Sequence, residues 1–286
     1  MSWWVIRTVA KKEAKTNLRS PSFLSIALLL LILNFAVISF SVSFSGFEGQ
    51  ADPRAMLLSL INLQMYIVPL LALIVSYDGL LRERELGTLD LLLSYPLEFS
   101  DMVIGKWLGF SAVLGLAIIL GFLLPAYRMF GSGIPPASIA GLVALSVWLG
   151  IVFNSLGLLF SSLSRDRTFV IASCIILWLF FVLLFDLGFV GLAIATDGVA
   201  TSAKISWVLL LSPTDVFRLV SLMTLMPQDT SSFYGLGVGA LQLPVGISML
   251  LVWTLAPLAL AIRMNPSKQR NRLSLWVLEV VSRTTR

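Results

Sequence analysis

Residues 78–96 read DGLLRERELGTLDLLLSYP and differ from everything around them. Asp78, Arg82, Glu83, Arg84, Glu85 and Asp90 place six charges within thirteen residues, whereas the whole chain of 286 carries 20 Lys+Arg and 15 Asp+Glu. Long apolar runs lie on both sides. Gly87-Thr88 and a leucine-rich turn follow the charges, and Tyr95-Pro96 ends the segment, because the residue before a proline is driven out of helical geometry. A charged island between two apolar runs reads as a loop joining two membrane spans.

The chain as a whole supports that reading. It is 58% hydrophobic and 12% charged, with a mean hydropathy of +0.94, against about 25% charged residues in soluble domains. A core in water cannot bury so much apolar surface, so the solvent is lipid, where helices satisfy their own backbone polar groups. About 20 apolar residues cross a hydrocarbon core. Six segments meet that length: 23–44, 56–77, 104–127, 138–161, 169–194 and 241–264. Breakers such as Pro53, Pro96, Pro135-Pro136 and the GLGVG at 235–239 separate them. The sequence predicts an all-α membrane protein in one domain: an N-terminal segment 1–21, a six-span bundle 22–264 and a basic tail 265–286. The first apolar run exceeds a signal-peptide core and lacks a small-residue cleavage site, so no cleaved leader is expected.

Orientation follows from the basic residues. Sixteen of the 20 Lys and Arg residues fall on the side of residues 78–96, the N-terminal segment and the tail. Basic residues collect in cytoplasmic loops, so both termini are expected inside. The same rule accounts for the net charge of +5 without any nucleic-acid partner. Trp3, Ile6, Ala10 and Ala14, opposite Lys11, Lys12 and Lys15, predict a helix lying in the interface. The tail, RLSLWVLEVVSR at 272–283, has a similar stripe.

On a helix, Arg82 and Glu85 are neighbours at i, i+3. Leu86, Leu89 and Leu93 form one stripe, Gly87 permits a tight turn and Thr88 suits an N-cap. Ser100-Asp101 is expected to cap the third span. Leucine area with mixed charge suits a partner surface, the charges supplying register.

The stretch YDGLLRERELGTLDLLLSYPLEFSDMVIGKWLG, 77–109, resembles the signature of ABC-2 type permeases. The likeness, together with the six-span layout, covers essentially the whole chain. It implies the ABC-2, type V exporter-like permease fold, N-in and C-in. It also implies a homodimer of this chain with two separate ATP-binding cassette subunits, in a bacterial inner membrane. By that resemblance Asp78, Arg82, Glu83, Arg84, Glu85, Gly87 and Thr88 form the coupling helix that enters a cleft on the ATPase. The chain is not expected to be an enzyme. Its only Gly-Lys, Gly105-Lys106, is followed by Trp107 and lacks the earlier glycine of a phosphate-binding P-loop. ATP and magnesium belong to the partner, and no cofactor is expected in this chain.

The largest segment of the opposite side contains WVLLLSPTDVFRLVSLM, 207–223. Ser212 is a candidate N-cap, Pro213 suits the first helical position, and Asp215 suits the first turn. A re-entrant or interfacial helix is predicted. LLLSPTDVFRL and VLLFDLG (182–188) are similar to permeases of Nos systems, ABC transporters that serve maturation of the copper enzyme nitrous-oxide reductase. That resemblance implies a periplasmic β-helical copper-assembly partner, with a copper chaperone as a further candidate. Pro213, Asp215, Arg218, Met223 and Met226 become candidate contacts for it. Copper or a sulfur species is then candidate cargo, with mechanical transmission to the partner as the alternative.

Cu(I) prefers thiolates and thioethers. The chain has no histidine and a single cysteine, Cys174. Met223 and Met226, at i, i+3, have a spacing for co-ligation and equally for packing; no metal site is assigned. Asn62, Gln64, Met65, Cys174 and Asp186 are candidates for the translocation path or dimer interior, while Asn34, Asn62, Gln64 and Asn154 suit interhelical hydrogen bonds. A generic ABC-2 exporter of lipid, polysaccharide or drug is the alternative reading. An ion-coupled carrier would need a relay of intramembrane ionisable groups, and here Asp186 stands almost alone.

Overall fold

A computed structural model of the chain describes residues 3–44, 52–87, 98–164, 166–188, 191, 207–226 and 242–264. Thr88, the leucine-rich turn after it and the tail 265–286 fall outside them. Ten helices carry the described fold: α1 Trp3–Leu18, α2 Pro21–Phe44, α3 Pro53–Ser76, α4 Asp78–Glu85, α5 Phe99–Gly121, α6 Leu123–Gly131, α7 Pro136–Leu163, α8 Arg167–Gly188, α9 Pro213–Leu225 and α10 Leu243–Arg263. Six are long and apolar enough to cross a membrane: α2, α3 with its continuation α4, α5, α7, α8 and α10.

The spans start where polar caps and prolines allow. Asp52 caps α3 by accepting from the Arg54 amide, Pro53 following at the first position. Asp166 caps α8 through the Thr168 amide in the same way. At α5 the cap is Glu98 rather than Ser100, and Asp101 lies in the first turn, as its charge favours. The third span is shorter than the 104–127 expected. It breaks after Gly121 because Pro125 has no N–H to donate to the Gly121 carbonyl, which accepts from Asn34 of α2 instead.

α7 is the central rod. Val152, Phe153 and Leu158 are wholly buried, and α3, α4, α5, α8, α9 and α10 all pack on it. α2, α8 and α10 are largely open on their outer sides, as lipid-facing or subunit-facing helices are. α1 does not simply lie beside the bundle. It packs along α5, with Ile6, Val9, Ala10 and Glu13 against Gly105 and Gly109. Of the expected stripe, Ile6 and Ala10 belong to this face, whereas Trp3 stands exposed beside Trp4. Two glycines four apart let helix backbones approach closely, the small-xxx-small device of membrane helices.

α9 is buried on nearly every side, between α3, α7 and α10. Its first turn lies deep: Thr214 Oγ1 donates to the Phe181 carbonyl, and the Trp253 indole donates to the Leu210 carbonyl just before it. Its last turn reaches the start of α7, where Leu225 lies over Gly141. α9, preceded by the short 3-10 helix Trp207–Leu211, is thus set into the bundle. It enters beside a π-helical turn in α8, Phe180–Leu184. A π turn displaces backbone carbonyls from the regular ladder, and the Thr214 hydroxyl takes one of them.

At Gly105 an added Cβ would meet Val9 Cβ at 2.7 Å and the Ile6 carbonyl at 3.0 Å. Helix propensity alone favours alanine by about 1 kcal/mol. Gly105→Ala is nevertheless expected to destabilise the detergent-solubilised protein by about 1–2 kcal/mol. Gly115→Ala, meeting nothing closer than Val147 Cγ1 at 3.4 Å, should be neutral or stabilising. Thermal unfolding of the two variants against wild type checks the pair.

Candidate functional site

α4 continues α3 after a single turn residue, Tyr77, whose backbone stays helical. The charges read as an outward-facing set divide into two groups. Leu80 and Leu81 are wholly buried, and both of their amides donate to Ser161 Oγ of α7, at 2.9 and 3.0 Å. First-turn amides lack partners within their own helix, so Ser161 completes the start of α4. Arg84 reciprocates: its Nη1 donates to the Ser162 carbonyl at 2.8 Å, near the electronegative end of α7. The junction is capped from both sides.

Glu83 is turned inward as well. Its Oε1 lies 2.9 Å from Lys106 Nζ, and Glu13 Oε1 of α1 lies 2.9 Å from the same ammonium. Lys106 is 3% exposed. A buried ammonium is costly unless it is paired, and here carboxylates from two other helices meet it. On the outer side Arg167 at the start of α8 approaches Asp78 and Glu85, at 4.0 and 3.7 Å, and its guanidinium lies over the Tyr77 ring. Arg167, not Arg82, is the cation beside Glu85.

What remains outward is Arg82, Leu86 and Gly87, with Glu85 partly so. Gly87 closes α4 at φ +67°, the left-handed conformation that glycine adopts without strain. The left-handed turn expected at Gly87 is present, and Gly87 is the last residue described before position 98. Sequence reasoning missed Lys106, Glu13, Ser161 and Arg167. The signal for the first two was the G-x-x-x-G spacing of 105–109 with a lysine inside it.

The opposite end of the bundle holds the other candidates. Ser212 caps α9 through the Asp215 amide, and Pro213 and Asp215 occupy the expected positions. Pro213 and Asp215 are buried, Arg218 and Met223 are half-buried, and Met226 is buried. They are set into the fold rather than onto its surface. Asp186 of α8 is 3.9 Å from Arg218 and lies against Asp215. Burial first, then the neighbouring Asp186, push the Asp215 carboxyl up to about 7, with the Ser212 hydroxyl and Arg218 opposing. Asp215 therefore holds its proton through much of the acid range.

Gln64, Met65 and Cys174 are buried inside the chain's own core, and Asn62 is half-buried on α3. The Gln64 amide donates to Asn34 Oδ1 at 2.6 Å, and Asn34 donates to the Gly121 carbonyl at 3.2 Å. Asn154 donates to Ser111 Oγ and to the Trp107 carbonyl. Asn34, Gln64 and Asn154 are thus interhelical hydrogen-bonding residues. Among the described residues no group of three or more His, Cys, Asp or Glu side chains is placed to hold a metal.

A six-span bundle with a short charged helix welded between its second, third, fourth and fifth spans agrees with a family model described as "ABC-2 family transporter protein", which matches residues 7–266. The chain belongs to the ABC-2 transporter family. Two related ABC-2 permeases are each described as "Probable ABC transporter permease protein NosY". The Pseudomonas aeruginosa protein is 34% identical over 268 residues, covering 90% of this chain and 96% of its own length. The Stutzerimonas stutzeri protein is 30% identical over 273 residues, covering 93% and 98%. This ABC-2 chain is accordingly a multi-pass membrane permease that works with ATP-binding cassette subunits.

Removing Lys106 takes away the ammonium that lies between Glu13 and Glu83. Lys106→Met should cost about 3 kcal/mol, and adding Glu83→Gln should return part of that loss. Denaturant titration of the single and double variants measures it. For Asp215 the folded pKa is raised, so its linked stability is fully present below about pH 4 and is lost as pH rises towards about 7. Asp215→Asn should flatten that slope in thermal unfolding followed from pH 4.5 to 8.

Proposed function

We propose that this permease serves a Nos-type system. It would couple ATP hydrolysis on the cytoplasmic side to copper-site assembly of periplasmic nitrous-oxide reductase. The relatives named NosY, matched along nearly their full length, support the system. The observation that carries the mechanism is the reach of α7. One end of this rod is hydrogen-bonded to α4 through Ser161 and Ser162, and the other bears Leu225 of α9 over Gly141. Force applied at α4 reaches α9 through one helix of 28 residues.

In this reading α4 and the turn at Gly87 enter the ATPase cleft in each half of a homodimer. Arg82, Glu85 and Leu86 supply the contact, while Glu83 and Arg84 hold α4 rigid. The periplasmic β-helical partner rides on the α9 end. Transmission is favoured over a copper conduit because Met226 is buried and Met223 half-buried in apolar packing, where methionine serves as a hydrophobe. A generic lipid, polysaccharide or drug exporter remains the competing reading, and it needs no periplasmic partner.

Arg82→Glu with Leu86→Asp should lower permease-stimulated ATP hydrolysis by at least about tenfold, an interfacial loss on the order of 1.4 kcal/mol or more, while insertion and thermal midpoint stay near wild type. Unchanged stimulation would remove α4 from the coupling contact. Copurification of a β-helical periplasmic protein, lost on truncating the α9 end, separates the Nos-type role from the generic exporter.

A further inference from the structure

α1 turns its apolar face onto α5. Ile6 is buried there, Ala10 and Glu13 lie against Gly109, and Glu13 reaches Lys106. The opposite face carries Trp4, Thr8, Lys11 and Lys15, with Arg7 beside them, and all of these are exposed. Arg7, Lys11 and Lys15 recur every fourth residue, so they form one ridge, roughly 12 Å long from first to last.

The ridge carries charge of one sign. Glu13 is the only acid in α1, and it points the other way, to Lys106. Among the described residues no carboxylate pairs with Arg7, Lys11 or Lys15. Three cations are therefore left uncompensated on the helix that helps to anchor α4.

Location supplies the partner. α1 ends at Leu18 and the α2 span starts at Pro21, so the ridge lies at the membrane boundary. Trp3 and Trp4 are 72% and 75% exposed, and indoles collect at that boundary. A layer of lipid headgroups meets both features, with phosphates for the cations and an amphipathic zone for the indoles. An acidic protein surface would match the charges alone.

We propose that the ridge of Arg7, Lys11 and Lys15 binds anionic phospholipid headgroups of the leaflet at that end of the bundle. Each basic side chain held at such a surface is worth about fivefold in association. On the inner face of the same helix Glu13 holds Lys106, and Lys106 holds Glu83 of α4. The membrane thus grips one side of α1 while α4 is fixed from the other, and acidic lipid steadies that anchorage. The proposal does not depend on the Nos-type assignment.

The test uses the full chain with its ATPase subunits in nanodiscs. Cys174 is buried, so a thiol-reactive fluorophore takes the exposed position of a Thr8→Cys variant, labelled before the ATPase subunits are added. Brominated phosphatidylglycerol should quench it about fivefold more than brominated phosphatidylcholine at equal mole fraction. Salt at about 1 M, where the Debye length is about 3 Å, should erase the difference. Arg7→Gln, Lys11→Gln and Lys15→Gln together should erase it too, whereas Arg7→Lys alone should keep it. Phosphatidylglycerol should raise the thermal midpoint of the wild type but not of the triple variant, and the two midpoints should agree in phosphatidylcholine. Equal quenching by both lipids would overturn the proposal, as would a preference that survives both high salt and the triple variant. Loss of the preference in millimolar inorganic phosphate would overturn it in favour of a plain anion site. Crosslinking from position 8 to the ATPase subunit would overturn it in favour of that protein.

Discussion

A single buried ammonium, Lys106, organises one whole end of this molecule. It cannot sit at the start of an apolar span without carboxylates, and the two that meet it come from α1 and α4. Each is 2.9 Å away, close enough to be charge-assisted hydrogen bonds. Three helices distant in sequence are thereby held in one arrangement. Gly105 and Gly109 flank the lysine and let α1 come near enough for Glu13 to reach it. Packing and electrostatics are inseparable here: either glycine enlarged, or either carboxylate removed, leaves the other half without its reason.

The same scarcity governs the interior. In an apolar bundle every polar side chain must find its partner inside the chain. Gln64 with Asn34, Asn154 with Ser111, and the indoles of Trp148, Trp178 and Trp253 with Thr254, Tyr66 and Leu210 are the result. Asp186, Asp215 and Arg218 solve the harder problem of two acids near one base. Burial pushes the Asp215 carboxyl up to about 7, which favours its neutral form at the first turn of α9.

Six spans were legible in the sequence because a stretch of about 20 apolar residues has few other uses. Prolines and acidic caps located most of their starts. The inner bonds of α4 were not legible. Glu83 and Arg84 look identical to Arg82 and Glu85 in a charge count, and only the position of α7 decides which of them turn inward. Nor could the depth of α9 be read. The apolar spacing of Val216, Leu219, Val220 and Met223 fits a surface helix as well as a buried one. The deciding features are the π turn at Phe180–Leu184 and the glycines at 141 and 246, where Leu225 and Val220 come close. Those signals are spread over three other helices.

A rigid path across the bundle follows from where these bonds fall. α4 is tied at its amides, at Arg84 and at Glu83, so it cannot rotate without moving α7 and α5. α7 contains no proline beyond its first residue and no charge, and most of its inner half is buried against other helices. Close-packed interiors move as units rather than deform continuously. The other end of α7 meets α9, where Leu225 lies over Gly141. Asp215 and Asp186 then lie at the joint between α9 and α8.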